Sequence, residues 1–169
     1  RCSGPTQRVS TGSLPGGISI DIGTGALSGT ATLAGQANFI VLVTDAVGDT
    51  ATRAFSIIVA PAAASALSFT TGPSAVLSGA TITPSVQVKV VDAFNNPVAG
   101  ELVTLALVGS GTLSGGAAVA SDVNGLSSFS ALSVDLAGSK QLSASSGALT
   151  PVTSSAFAVT AGAAATLSF

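Results

Sequence analysis

Short runs of alternating apolar and polar residues occur along the whole chain and predict a protein built of β-strands. The clearest pair in the first region is Phe39–Thr44 and Thr50–Val59, which a turn at Gly48 separates. Such alternation is typical of half-buried strands, and the turn between the two runs predicts a hairpin. Three shorter strands are predicted before this hairpin, at Gln7–Thr11, Ile18–Asp21 and Ala26–Thr30.

The second region continues the same pattern. Val86, Val88 and Val90 alternate with polar residues, which predicts a strand with one buried face. Leu102–Val108 is apolar on both faces, and we interpret it as a central strand. Further short strands, separated by turn residues at the spacing of a β-sandwich, are predicted at Ala66–Thr70, Ala117–Ala120, Leu126–Leu132, Lys140–Ser145 and Ala156–Thr160.

The apolar positions that share a strand face predict two hydrophobic cores. The first core is predicted to consist of Phe39, Val41, Val43, Phe55, Ile57 and Val59. The second is predicted to consist of Val86, Val88, Val90, Leu105, Leu107, Phe129 and Phe157. The fold class that follows is all-β, with two immunoglobulin-like sandwiches in tandem.

A repeated hexapeptide sets the predicted domain boundaries. Ala64–Phe69 reappears, slightly altered, as Ala164–Phe169, and the offset between the two leucines is 167 − 67 = 100 residues. A period of about 100 residues is the size of one immunoglobulin-like sandwich. We therefore expect one sandwich in residues 1–60 and another in residues 61–160. Residues 161–169 are then the first strand of a following module or a donor strand for another chain.

The composition excludes several functions. Only 7% of the residues are charged, the basic residues are scattered singly, and the chain has no Trp or Tyr. Nucleic-acid binding is therefore not expected, because no basic surface and no stacking platform are present. Membrane insertion is not expected either, since no apolar run reaches the length of a spanning helix. The single cysteine, Cys2, allows no internal disulfide.

Catalytic chemistry is poorly supported by the residue types present. With no His and one Cys, neither a Ser-His-Asp nor a Cys-His arrangement can form, and we predict no catalytic, cofactor or metal site. The carboxylates mostly stand beside Gly or Asn, where Asp forms Asx turns. Calcium at Asp45 with Asp49, or at Asp92 with Asn95 and Asn96, is a weaker alternative, because neither loop supplies more than two carboxylates.

Two other features leave alternatives open. Lys89 could form a crosslink with an Asn, but the alternation of its strand favours a solvated lysine. The many Ser and Thr residues suit strands and turns, and they could also carry O-linked glycan. The sequence does not separate these two interpretations.

The first region resembles a family of cadherin-like sandwich domains found in bacterial surface proteins, the "putative Ig" family. The residues that carry the resemblance are Leu14–Ile20, Gly23–Thr30 and Val43–Asp45, within residues 5–60. Members of that family normally begin with two more strands, which this chain lacks upstream of Gly4. The resemblance therefore implies a first sandwich that is incomplete at its N-terminus and has open sheet edges.

The second region resembles bacterial Ig-like domains of the invasin and intimin type, over about residues 60–160. The supporting segments are Val88–Val98, Gly111–Gly115, Asn124–Phe129 and Leu142–Gly147. Repeats of this type mostly act as spacers, so the resemblance implies no binding residue.

These observations predict a structural or adhesive module of a bacterial extracellular surface protein or filament, located at the cell surface. We expect it to act as a rod-like spacer whose partners are copies of itself or adjacent Ig-like modules, in a head-to-tail fibre. Strand complementation between subunits would assemble such a fibre. A surface glycan is a further expected partner. The alternative is a carbohydrate-binding accessory module of a secreted enzyme; an enzyme proper is not expected.

Overall fold

The computed structural model describes residues 4–163, and every regular element in that range is a β-strand. The chain divides into two compact units, Arg1–Pro61 and Ala62–Phe169. The all-β class predicted from the alternation is confirmed. No helix that could cross a membrane is present in the described part of the chain. The sequence prediction for residues 161–169 concerns a segment whose last six residues lie outside the described range.

Unit one contains a three-stranded antiparallel sheet and a separate hairpin. The sheet has the order β1-β4-β5, and the hairpin pairs β2 with β3. The hairpin β4–β5 is in register over its whole length, from Gly35 opposite Val59 to Thr44 opposite Thr50. The strands are β1 (Thr6–Gly12), β2 (Ile18–Ile20), β3 (Leu27–Gly29), β4 (Gly35–Thr44) and β5 (Thr50–Val59).

Unit two is a sandwich of two larger sheets with a small two-stranded ribbon. One sheet has the order β12-β8-β6, the other has the order β11-β9-β14-β16-β7 with β15 attached to β14, and β10 pairs with β13. The strands are β6 (Ala64–Thr71), β7 (Val76–Leu77), β8 (Val86–Asp92), β9 (Leu102–Val108), β10 (Leu113–Ser114), β11 (Val119–Ala120), β12 (Leu126–Phe129), β13 (Ser133–Val134), β14 (Gly138–Ser145), β15 (Val152–Thr153) and β16 (Phe157–Thr160).

One strand pair of unit two is parallel. β16 runs alongside β7, with Val159 opposite Val76 and Thr160 opposite Leu77. The backbone N–H of Ser78 then donates to the carbonyl of Thr160 at 2.8 Å, which extends the pairing by one bond. The first and last parts of unit two are therefore joined directly.

The core of unit two lies between its two sheets. Leu67, Val88 and Phe129 come from one sheet, and Leu105 and Leu142 come from the other, and all five belong to one buried cluster. Six of the seven residues predicted for this core are buried, and Leu107 is half-buried. The prediction missed the buried residues Leu67, Ile82, Val103, Leu132, Val134, Leu142, Ala144 and Val159.

The core predicted for unit one is only partly present. Phe39 is buried, but Val41 and Val43 are half-buried, and Phe55 is 43% exposed. The prediction that Phe55 is a core residue is therefore wrong. The physical reason is that β5 lies at the edge of a sheet whose second layer, the hairpin β2–β3, does not extend over it.

The interpretation of Leu102–Val108, a segment with apolar residues on both faces, as a central strand is confirmed. As β9 it lies between β11 and β14, as a central strand should. Only Val103 and Leu105 are buried, however, and Leu102 is 58% exposed. One face of β9 therefore packs in the core while the other faces outward. The segment from Gly109 to Gly116 contains the short strand β10.

A serine hydroxyl is buried without a partner in the core of unit two. Ser127 lies on β12 with no exposed surface, and its Oγ forms no hydrogen bond to any described residue. Ser121 is also buried, but its Oγ donates to the Val98 carbonyl at 2.8 Å and accepts from the Glu101 N–H at 3.0 Å. The two serines thus form a natural pair for comparison.

We predict that Ser127→Ala raises the free energy of unfolding of the chain, by up to about 1 kcal/mol, because it removes a buried hydroxyl that makes no hydrogen bond. Ser121→Ala is the matched control and should lower it by about 1–3 kcal/mol, because it leaves the Glu101 N–H and the Val98 carbonyl without their partner. Denaturant unfolding followed by circular dichroism measures both. Equal destabilisation by the two substitutions would contradict the assignment.

Candidate functional site

Three loops with the same hydrogen-bond pattern contain most of the candidate carboxylates. They begin at Asp45, Asp92 and Asp122. In each, one carboxylate oxygen accepts from the backbone N–H groups two and four residues later. The bonds run from Val47 and Asp49 to Asp45 at 2.9 and 2.9 Å, from Phe94 and Asn96 to Asp92 at 2.9 and 2.8 Å, and from Asn124 and Leu126 to Asp122 at 2.8 and 2.9 Å.

The fourth residue of each loop has a positive φ. It is Gly48 with φ 96°, Asn95 with φ 67° and Gly125 with φ 72°. Gly adopts this conformation without steric cost, and Asn is one of the few other residues that tolerate it. The interpretation of Asp45, Asp92 and Asp122 as turn residues agrees with this geometry. The sequence indicates these turns by an Asp that is followed three residues later by Gly or Asn.

Of the three carboxylates, that of Asp92 accepts the most hydrogen bonds. Besides the two bonds to Oδ1, its Oδ2 accepts from the Ala62 N–H and from the Asn96 side-chain amide, both at 2.9 Å. Asp92 is 2% exposed. Burial raises the pKa of its carboxyl, but the hydrogen bonds from Asn96, Ala62 and Phe94 together outweigh burial and lower the pKa to about 2. This carboxylate therefore holds the first residue of unit two against the end of β8.

The other carboxylates also stabilise local structure. The hydroxyl and N–H of Thr24, together with the Gly23 N–H, lower the pKa of Asp21. The Thr112 N–H, which donates to Asp135 at 2.6 Å, is the main cause of the lowered pKa of Asp135. No group of three or more His, Cys, Asp or Glu side chains that could hold a metal occurs among residues 4–163.

The two lysines of unit two differ in their surroundings. Lys89 is half-buried on β8, whose alternate residues are fully buried. Lys140 is 2% exposed, and its amine donates to the Ser110 hydroxyl at 3.1 Å. Its charge also contributes to the lowered pKa of Asp135. The burial of Lys140 could not be predicted from the sequence, because lysine is rarely buried.

The side of β5 that carries Arg53, Phe55 and Ile57 is only partly covered, since Phe55 is 43% exposed, and we call it the open face. Register places Phe55 opposite Phe39 and Arg53 opposite Val41 on β4. The rings of Phe39 and Phe55 stack with centroids 5.8 Å apart, and the Arg53 guanidinium lies 5.5 Å from the Phe55 ring centre. Phe55 therefore has neighbours within its own sheet but no complete cover above it.

The hairpin β2–β3 lies on the same face of the sheet as Phe55, but it covers the part of that face next to β1. The Gln7 N–H on β1 donates to the Ile22 carbonyl just after β2, at 2.7 Å. Gly25 has a φ of 72°, which explains why a glycine occupies the turn, and it lies next to the side chain of Gln7 on β1. These contacts anchor the hairpin over β1, so that β3 is the last strand of the second layer.

Apolar grooves remain between this hairpin and β5. One, of about 150 Å³, is lined by residues that include Ile20, Leu27, Val41 and Phe55. Another, of about 380 Å³, lies above Val41, Val43 and Arg53 and also reaches Phe55. Leu27 on β3 is 45% exposed at the edge of the first groove. The open face can thus accept apolar side chains.

The edge strands β3 and β5 each have one edge whose backbone N–H and C=O groups pair with no other strand among the described residues. Within the described residues β5 pairs with β4 alone, and β3 pairs with β2 alone. An unpaired strand edge beside an uncovered apolar face is the arrangement to which an additional strand binds.

Residues 3–60 match a protein-family model described as "Putative Ig domain". This match confirms the family resemblance predicted for residues 5–60. A search of curated protein sequences found no match.

Solved structures with some similarity include domains 4–9 of the surface layer protein SbsC, at 18% identity and a TM-score of 0.44 over 95% of this chain and 22% of that one. The human desmocollin-1 ectodomain is 14% identical, with a TM-score of 0.46 over 95% of this chain and 35% of that one. The D00–D0 domain of intimin is 12% identical, with a TM-score of 0.44 over 93% of this chain and 78% of that one. The chain thus spans a minor part of the first two proteins.

We predict that the stability of unit two falls in acid partly through Asp92. Its folded pKa of about 2 is below its ordinary value of 3.8, so the contribution is fully present above pH 3.8 and is lost as the pH falls towards 2. Calorimetric unfolding of wild type and of Asp92→Asn between pH 7 and pH 2 checks this. The variant should melt lower at neutral pH, and the two curves should converge in acid. Parallel curves would contradict the prediction.

A calcium titration should leave the melting temperature unchanged. Both oxygens of Asp92 already accept backbone or amide hydrogens, and no group of three or more acidic side chains that could hold a metal occurs among residues 4–163. Melting in millimolar calcium and in chelator, the concentration range of weak extracellular sites, makes the comparison. A rise with calcium that Asp45→Asn abolishes would show that a loop binds the ion.

Proposed function

We propose that this chain is a structural module of a bacterial extracellular surface protein or filament, where it acts as a spacer. The match of residues 3–60 to an Ig-like family supports the proposal, as does the tandem of two β-units. The hydrogen bonds of the aspartates support it too, because these carboxylates stabilise turns and strand ends rather than forming a shared site.

We further propose that inter-subunit strand complementation assembles such modules. The observation that carries this proposal is the open face of unit one, where Phe55 is 43% exposed beside unpaired strand edges. A strand from another subunit would satisfy the free backbone groups and cover the apolar side chains in one step. The partner is then a further copy of the chain, in a head-to-tail fibre.

Electron microscopy of the purified chain, with and without residues 161–169, tests the proposal. We expect filaments or short oligomers from the full chain and monomers from the shortened one, because the deletion removes the proposed donor strand. Assembly that survives the deletion would contradict strand complementation. Monomers from the full chain as well would contradict the filament itself.

A further inference from the structure

The open face of unit one leaves a large part of an apolar sheet in contact with water. Only Pro15 and Phe39 are buried among residues 4–61, whereas unit two encloses a cluster of 14 buried hydrophobic residues. Burial of apolar surface is the main stabilising contribution to a fold, at roughly 25 cal/mol per Å². A segment that covers the open face would therefore add much to the stability of unit one.

The strand β6 shows how the repeated hexapeptide behaves in a sheet. β6 is an edge strand whose one neighbour in its sheet is β8. Leu67 is buried in the core, Phe69 is half-buried and Ser68 between them is exposed. The hexapeptide thus adds to a single strand edge and presents two large apolar side chains on one face.

The sequence contains a second copy of this hexapeptide beyond the described residues. Ala164–Phe169 keeps the leucine, serine and phenylalanine of β6 as Leu167, Ser168 and Phe169. Unit two is already complete in that position, because β6 occupies the edge of β8. The second copy therefore has no vacant place in the sheet to which its homologue belongs.

We propose that Ala164–Phe169 of a neighbouring copy of this chain binds beside β3 and over β5, on the open face of unit one. Leu167 and Phe169 face Phe55 and fill the grooves that Leu27 and Val41 border, while Ser168 faces outward. This inference rests on the proposed function and identifies the donor segment and the acceptor residues of the same assembly.

The chemistry of the proposed acceptor site matches that of the proposed donor segment. β3 and β5 are both edge strands, and a groove between them is lined by Leu27 of β3 and Phe55 of β5. The grooves there are lined mainly by apolar side chains, and the Arg53 guanidinium stacked on Phe55 is the one charged group among their lining residues. A donor without charge, such as Ala164–Phe169, meets no unpaired carboxylate or amine.

Cysteine crosslinking between two differently labelled chains tests the contact. In a Cys2→Ser background, full-length chains carrying Phe55→Cys are mixed with full-length chains carrying Leu167→Cys and then oxidised. We expect a disulfide-linked dimer at twice the chain mass of 16.0 kDa. The control is Ile58→Cys, which is 77% exposed on the opposite side of β5 and should give at least tenfold less dimer.

Two further arms keep the test decisive. A synthetic peptide of residues 161–169 should compete and reduce the dimer, whereas the same peptide with Leu167→Asp should not. In the full chain, Leu167→Asp should abolish assembly, and Ser168→Asp should preserve it. Equal crosslinking of Phe55→Cys and Ile58→Cys, or none with Phe55→Cys, would overturn the inference. If filaments form in that case, the proposed assembly stands and only this docking site is wrong.

Discussion

The fold depends on one constraint, that an apolar sheet face must be covered on the side that carries its large side chains. Unit two meets this constraint with two sheets facing each other, and Val86, Val88 and Val90 of β8 have no exposed surface as a result. Unit one has the same kind of sheet with half of a second layer. The difference between the two units therefore lies in the cover over their sheets, since the strands of both have similar alternation.

The aspartate loops show how a chain with few charges uses them. Each loop pairs one carboxylate oxygen with two backbone N–H groups, which satisfies donors that the end of a strand leaves unpaired. The carboxylate of Asp92 also accepts a hydrogen bond from the N–H of Ala62, the first residue of unit two. The position of this residue therefore depends on an ionised group. The aspartate carboxylates of this protein thus mainly stabilise local geometry.

The sequence was a good guide wherever a local rule decides the structure. Alternation located the main strands, and the spacing of Asp with Gly48, Asn95 and Gly125 located the turns. Prediction from the sequence failed where the burial of a side chain depends on which element packs over its strand. Phe55 has the pattern of a core residue and is exposed, and Lys140 is charged and is buried. The strands of two residues, such as β7 and β13, were missed because two residues do not make a period.

The parallel pairing of β7 with β16 has a mechanical consequence. Val76 and Val159 are opposite each other, so the pair closes a loop that contains nearly all of the sandwich between them. A tension applied to the two ends of unit two is first carried by the pairing of β6 with β8; once β6 has separated, it reaches β7 and β16 before it can extend the enclosed chain. Because the strands are parallel, the tension pulls them past each other and loads their hydrogen bonds together rather than one after another. We therefore expect the pairing of β7 with β16 to resist extension of the chain that it encloses.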